Sequence, residues 1–300
     1  MDRIPQFLIE MLEQQYGQEL TNEILEGYTV KRKVTFRVNT LKTTCEQVEK
    51  VLNKVGIKFK KITWSDNAYI VNNARENELQ ELDIYKNGEI YLQSLSSMLP
   101  PIILEPKEGF DILDMAAAPG GKTTQISAET DDKAFITACE KNKIRSERLK
   151  YNIEKQGARK ITVLTQDARD LDNYFSFDKI LLDAPCSGSG TINLNNEKLE
   201  KTFTKELVER SVKTQIELLK KAITVLKPGH EMIYSTCSIL KEENEENLSK
   251  IFKSGKVELV PINTENFKDI TLLPVTIPGT LCVCPNELYE GFFIAKIRKK

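Results

Sequence analysis

A chain of 300 residues with 40% hydrophobic and 29% charged side chains can bury a full core and is expected to form two domains of an ordinary globular protein. Its net charge of −1 makes no global case for nucleic acid, and no apolar run approaches the roughly 18 residues of a membrane span. Met1-Asp-Arg-Ile-Pro-Gln6 lacks the basic-then-apolar order of a secretory signal, so a cytoplasmic protein without membrane attachment is expected.

Residues 4–28 predict two short helices, with Phe7, Leu8, Met11 and Leu12 inward in the first and Leu20, Ile24 and Leu25 in the second. Gly17 separates them. Val34-Thr-Phe-Arg-Val-Asn39 alternates apolar and polar residues and predicts a strand. Thr43 with Glu46, or Thr44 with Gln47, can cap a helix that turns Val48, Val51, Leu52 and Val55 inward and stops at Gly56. Strands are expected over 57–64, 68–71 and 89–93. A helix over 95–104 is capped by Ser94, with Pro100-Pro101 shaping its start or bending it. A boundary near 105 separates this helical and small α/β domain, 1–105, from a second domain, 106–300. Charge is uneven across the first: residues 1–30 hold six acids and one base, residues 31–61 ten Lys/Arg against Glu46 and Glu49. Such clustering suits a phosphate-binding surface as well as it suits a solvated face.

From residue 110 the pattern alternates. Strands at 111–115, 134–139, 161–165, 177–182 and 231–235 are interleaved with helices at 122–129, 142–156, 204–226 and about 242–252, and strands near 256–260 and 291–297 end the chain. In helix 204–226 a stripe of Val208, Val212, Ile216, Leu219, Ile223 and Leu226 faces inward, and Lys227-Pro-Gly229 ends it. The alternation predicts an α/β fold, a Rossmann-like parallel sheet with helices on both faces.

Three small-residue turns end apolar runs in that sheet. In Phe110-Asp-Ile-Leu-Asp-Met-Ala-Ala-Ala-Pro-Gly-Gly-Lys-Thr-Thr124 a strand, a tight turn and a helix follow one another, and small residues allow close approach to a cofactor at a helix N-terminus. The others are Asp183-Ala-Pro-Cys-Ser-Gly-Ser-Gly190 and Tyr234-Ser-Thr-Cys-Ser238. Asp114, Glu140, Asp167 and Asp183 each stand at or just past a strand end. One such acid reads as a cap of the next helix, but four in series point to an active-site rim, and a carboxylate after the second strand suits a ribose diol.

Cys186 and Cys237 lie among small polar residues rather than on an apolar face, as expected of reactive thiols whose pKa a cation such as Lys122 could lower. The residues alone do not say which is the nucleophile. The other cysteines, Cys45, Cys139, Cys282 and Cys284, form no Cys-x-x-Cys pair, and no metal site is expected. His230, the single histidine, reads as a solvent-edge residue.

These motifs resemble the RNA cytosine-5 methyltransferases of the Sun type. The resemblance extends to Phe36-Arg-Val-Asn-Thr-Leu-Lys42, Tyr91-Leu-Gln-Ser-Leu-Ser-Ser97, Arg145 with Asn152, and Gly291-Phe-Phe-Ile-Ala-Lys296. It implies a methyltransferase domain that binds S-adenosylmethionine through Ala116, Ala117, Ala118, Pro119, Gly120, Gly121 and Lys122. Glu140 would take the ribose, Asp167 would lie at the adenine, and Arg145 and Asp183 would line the site. It further implies Cys237 as nucleophile, Cys186 as the residue that assists release, and Asp183 and Lys122 as catalytic neighbours. The partner would be RNA, ribosomal or transfer, bound by a monomer and docked by an RNA-recognition-like N-terminal domain that lacks the aromatic RNP pattern. Glu290 stands where the family commonly has Asp, and residues 274–286 lack the Arg and His expected there. Two rival readings are a P-loop nucleotidase, from Ala116-x4-Gly-Lys-Thr with Asp183 on the metal, and a non-catalytic RNA-binding relative. The first leaves the paired cysteines unexplained.

Overall fold

A computed structural model describes residues 4–194 and 202–300. By contacts the chain forms two compact units that interleave in sequence: Lys33–Leu181, and Met1–Arg32 together with Leu182–Lys300. The division falls inside one strand.

The unit Lys33–Leu181 begins with strands β1 (Val34–Val38), β2 (Phe59–Lys61), β3 (Ala68–Val71) and β4 (Ile90–Leu92) in the antiparallel order β2-β3-β1-β4. Helix α2 (Cys45–Lys54) supplies Val48 and Leu52 to a core with Phe36, Val38, Tyr69 and Val71. Its start is the second of the two expected caps: Gln47 N donates to Thr44 Oγ1 and Thr44 N to Gln47 Oε1. The strand expected over 57–64 is shorter, because Ile62 N already bonds Ala68 O and closes the hairpin. Two short helices, α3 (Glu76–Gln80) and α4 (Asp83–Lys86), were not anticipated. Helix α5 (Leu95–Leu104) starts at Ser94 as expected but carries Pro100 and Pro101 in its interior. Pro101 has no N–H for the Ser97 carbonyl, and Gln93 Nε2 donates to that oxygen instead, at 3.2 Å.

The same unit continues through β5 (Asp111–Asp114), α6 (Gly121–Glu129), β6 (Phe135–Cys139), α7 (Lys143–Gln156), β7 (Ile161–Leu164) and β8 (Phe177–Asp183). These strands lie parallel in the order β8-β5-β6-β7. Parallel strands share one carboxyl edge, the edge at which such sheets bind ligands.

In the second unit the two helices expected over 4–28 form one element, α1 (Gln6–Thr29), broken where Gly17 takes φ 76°. Helix α8 (Lys205–Val225) leads directly into β9 (Leu226–Thr236), followed by α9 (Glu245–Phe252), β10 (Val257–Val260), β11 (Leu281–Val283) and β12 (Phe292–Lys299). β12 pairs antiparallel with β9, β10 and β11. Val208, Leu219, Ile223 and Leu226 of the expected stripe are buried, but the inward face of α8 extends to one side of it. Ser211, Gln215, Leu218 and Ala222 are buried while Val212 and Ile216 are half-exposed. Gln215 turns inward because its amide has buried acceptors waiting, a demand that hydrophobic periodicity does not register. No helix among the described residues is long and apolar enough to cross a membrane.

Candidate active site

The loop after β5 is shaped from behind. The methyls of Ala117 and Ala118 pack with Ala138, Leu149 and Ile153, and the Ala117 amide bonds Cys139 O at 2.9 Å. A Cβ on Gly120, which sits at φ 110°, would stand 3.0 Å from Leu149, and one on Gly121 would stand 3.1 Å from the Tyr91 ring. The positive φ disfavours any side chain at Gly120, and at both glycines a Cβ would press on Leu149 or Tyr91, whatever lies in front. Two side chains of α7 hold the loop carbonyls: Arg145 Nη2 donates to Ala118 O and Asn152 Nδ2 to Pro119 O, both at 2.8 Å. Asp114 supports the same turn, its carboxylate accepting from Thr123 Oγ1 at 2.7 Å and from Ala116 N at 3.4 Å. Lys122 Nζ donates to Ser97 Oγ at 2.7 Å.

Arg37 differs from the sequence expectation. It belongs to the basic stretch, yet it is 1% exposed. Its Nη2 donates to Thr124 Oγ1 at 2.7 Å and to Gly121 O at 3.2 Å, and its Nε to Gln93 Oε1 at 3.0 Å. Tyr91 lies under the guanidinium, 5.2 Å from its centroid. Burial lowers its pKa to about 10. Lys42 is likewise engaged, donating to Asn87 O and to Lys155 O in the last turn of α7. Lys58, Lys60 and Lys61 are exposed on and beside edge strand β2.

Glu140 follows β6 and is 4% exposed. Its Oε1 accepts from Asn142 N at 2.8 Å, and Oε2 lies 3.5 Å from Arg145. A carboxylate offers about four acceptor positions, so these contacts leave capacity to accept from the two hydroxyls of a diol such as a ribose. Asp167 caps the turn Ala168–Asp170. Its carboxylate takes Arg169 through N, Nε and Nη2 at 2.7–3.0 Å, and these bonds hold its pKa below the usual range. Each acid thus has the local capping role and stands at the carboxyl edge.

In the second unit the two motif cysteines meet. Cys186 Sγ and Cys237 Sγ are 2.7 Å apart, and both are free thiols. The contact with Cys237, then burial, then the charge of Glu243 push the Cys186 thiol well above its ordinary range. Either sulfur can donate in this contact. Asp183, at the end of β8, accepts from Ser235 Oγ at 2.8 Å, and Ala184 N bonds Ser235 O at the same distance. Gly190 N donates to Cys237 O, and Gly291 N to Gly190 O. A Cβ on Gly190 would fall 2.0 Å from Gly291 O. The last glycine of the first cysteine motif is thus small because the Gly291 backbone lies on it.

Sequence reasoning missed the residues that hold these turns. Glu243, Asn244 and Asn247 are 0% exposed, as is Gln215. Thr236 Oγ1 donates to Asn244 Oδ1 at 2.6 Å, and Asn244 Nδ2 to Ser238 O at 2.8 Å. The only sequence signal of Glu243 and Asn244 is the acidic run Glu242-Glu-Asn-Glu-Glu246, at the start of an expected helix. Three of the other thiols are buried: burial pushes Cys139 up to about 12 and Cys284 to about 11, and Cys282 lies in β11. Among the described residues no group of three or more His, Cys, Asp or Glu is arranged to hold a metal ion.

Compared with known proteins, residues 101–298 match the family model of the 16S rRNA methyltransferase RsmB/F, and residues 4–77 match that of the RsmF/B-like ferredoxin-like domain. Ribosomal RNA small subunit methyltransferase F of Shewanella piezotolerans is 36% identical over the whole chain, and that of Shewanella loihica 34% identical over 88% of it. The chain spans 65% and 56% of the length of these relatives. Two solved structures from Pyrococcus horikoshii are similar over 99% of the chain. One is a methyltransferase homologue (30% identity, TM-score 0.80, all of its chain covered) and the other is NSun6 solved with SFG (26% identity, TM-score 0.87, 98% of its chain covered).

Proposed function

Since the chain belongs to the 16S rRNA methyltransferase RsmB/F family, we propose that it transfers a methyl group from S-adenosylmethionine to carbon five of a cytosine in RNA, with ribosomal RNA as the preferred substrate. The observation that carries this reading is the pair of free thiols 2.7 Å apart in unlike environments. Carbon five of cytosine is a weak nucleophile within its aromatic ring. Attack by the Cys237 thiolate forms a sulfur–carbon bond at carbon six and moves an electron pair onto carbon five. S-adenosylmethionine, when bound, supplies an electrophilic methyl to that carbon. The carbon-five proton then leaves to a base, the carbon five–six double bond re-forms, and the Cys237 thiolate is expelled. Cys186 beside the leaving sulfur assists this last step, and Asp183 accepts a hydrogen bond from the ring nitrogen in its protonated form, which draws electrons from carbon six. Glu140 holds the ribose, the loop Ala116–Lys122 and Arg145 frame the cofactor, and Asp167 lies at the adenine. That NSun6 was solved with SFG, and that relatives are named rRNA methyltransferases, supports the reading. A P-loop nucleotidase has no use for the thiol pair.

Calorimetry is expected to detect S-adenosylmethionine and not ATP with magnesium, and radiolabel from the donor is expected in the cytosines of small-subunit rRNA. ATP binding without donor binding would overturn the assignment.

The domain before residue 105 is proposed to dock the RNA. With Arg37 and Lys42 committed to the fold, the exposed Lys58, Lys60 and Lys61 are the phosphate contacts to test. Changing all three to Glu is expected to weaken RNA binding at least tenfold and to flatten the log–log salt slope by about 2, as loss of three phosphate contacts on a single strand requires. An unchanged slope would leave these lysines the protective role that charges have on an edge strand.

A further inference from the structure

Glu243 is a fully buried carboxylate beside the thiol pair, and no cation is among its partners in the described residues. Its Oε1 accepts from Ser187 N at 2.8 Å and from Gln215 Nε2 at 2.9 Å, and its Oε2 accepts from Ser187 Oγ at 2.5 Å. Gln215 donates its second amide hydrogen to Pro185 O at 3.0 Å. Both neighbours of Cys186 in the chain are therefore gripped, Ser187 by the carboxylate itself and Pro185 through Gln215. The grip is braced in turn. Asn247 Nδ2 donates to Gln215 Oε1 at 2.9 Å, and Tyr234 OH donates to the Glu243 carbonyl at 2.5 Å.

A buried ion without a counter-ion is an expensive way to hold a turn, since a neutral side chain could meet most of the same donors. What the ion adds is strength and reach. Charge-assisted bonds are short, and one carboxylate can take three donors at once. The result is a Cys186 that cannot swing away from Cys237 when the partner sulfur moves onto a base.

We propose that Glu243 is a positioning residue that fixes the Pro185–Ser187 turn so that the Cys186 thiol stays on Cys237 through the cycle, and that the step depending on it is release of the methylated RNA. This rests on the roles proposed above for the two cysteines. Attack by Cys237 and methyl transfer need no help from Cys186, so loss of Glu243 leaves the first turnover standing and stalls the enzyme afterwards.

The test compares Glu243→Gln, Glu243→Ala and Cys186→Ala in the full chain, with S-adenosylmethionine and substrate RNA. Glu243→Gln keeps the volume of the side chain and removes the charge, so it remains informative if Glu243→Ala fails to fold. For Glu243→Gln a first-turnover rate within about threefold of the unmodified chain is expected, with steady-state kcat at least tenfold lower and a protein–RNA adduct that survives denaturing electrophoresis. Equal loss of first turnover and kcat without adduct, while Cys186→Ala traps one, would reduce Glu243 to a fold support and overturn the inference. So would normal kcat in Glu243→Gln. If Cys186→Ala itself traps nothing, the assignment of the cysteines fails, and the positioning role fails with it.

Discussion

Alanine at Cys237 is expected to abolish methyl transfer, and alanine at Cys186 is expected to trap the protein on its RNA. The two sulfurs are neighbours at 2.7 Å, but the structure makes them unequal. Cys186 is held protonated by its contact with Cys237, by burial and by the Glu243 charge. A thiol so held is a poor nucleophile, because only the thiolate attacks. On the mechanism proposed above, loss of Cys237 leaves no bond to carbon six, and the rate should fall by roughly 10,000-fold or more, as for loss of other covalent nucleophiles. The RNA then binds only non-covalently. Without Cys186 the adduct forms and the methyl is transferred, but expulsion of the Cys237 sulfur loses its helper. The trapped species should require donor and RNA together. The reverse pattern, an adduct with Cys237→Ala and none with Cys186→Ala, would make Cys186 the nucleophile. Near-normal turnover in both variants would remove covalent catalysis.

The second large effect is expected at Arg37, a position without chemistry of its own. Arg37→Ala deletes three hydrogen bonds to Gln93, Thr124 and Gly121, and the stacking on Tyr91. A buried acceptor left empty costs about 1–3 kcal/mol, and the Gln93 oxygen loses its cation. Removing the long side chain also leaves a cavity, at a cost of about 2–5 kcal/mol for comparable truncations. Against this, a desolvated cation disappears, which returns part of the loss. The acceptors and the cavity outweigh it, and a net loss of about 3 kcal/mol follows. A lower urea midpoint with unchanged slope would register it. Because Gly121 and Thr124 open α6, weaker binding of S-adenosylmethionine should accompany it. Arg37→Lys, which keeps the charge without the fork, should lose less. A midpoint equal to that of the unmodified chain would mean the guanidinium contributes nothing.

Arg37 also shows where sequence reasoning reaches its limit. Alternation in Val34-Thr-Phe-Arg-Val predicted a strand, and Phe36 and Val38 of β1 lie in the core. It could not show that the other face is covered too, because what covers Arg37 lies 84–87 residues away at Gly121 and Thr124. Local signals served better. The Ser94 cap and the Thr44–Gln47 box are complete within four residues, and both were legible. The motif cysteines were legible as a pair because polar, small neighbours are a poor setting for an inert thiol. Gln215 and Glu243 were not. A buried polar residue leaves no periodic trace, and its burial is decided by partners on other elements. Gly120 and Gly121 were read only as room for a cofactor in front, but Leu149 and Tyr91 also crowd them from behind.

The closure of the cysteine turns by Gly291 has a consequence for the order in which the chain is made. Cys186 and Cys237 leave the ribosome long before residue 291, and Gly190, which bonds the Cys237 carbonyl, lacks its backbone partner until then. The first helix waits as well, since Tyr28 donates to Ser189 O and Tyr16 to Ile239 O. Vectorial synthesis, with N-terminal parts usually folding first, is thus frustrated at both ends of this half of the molecule. A nascent chain that has not yet reached residue 291 carries both thiols without the Gly291 backbone that closes their turns.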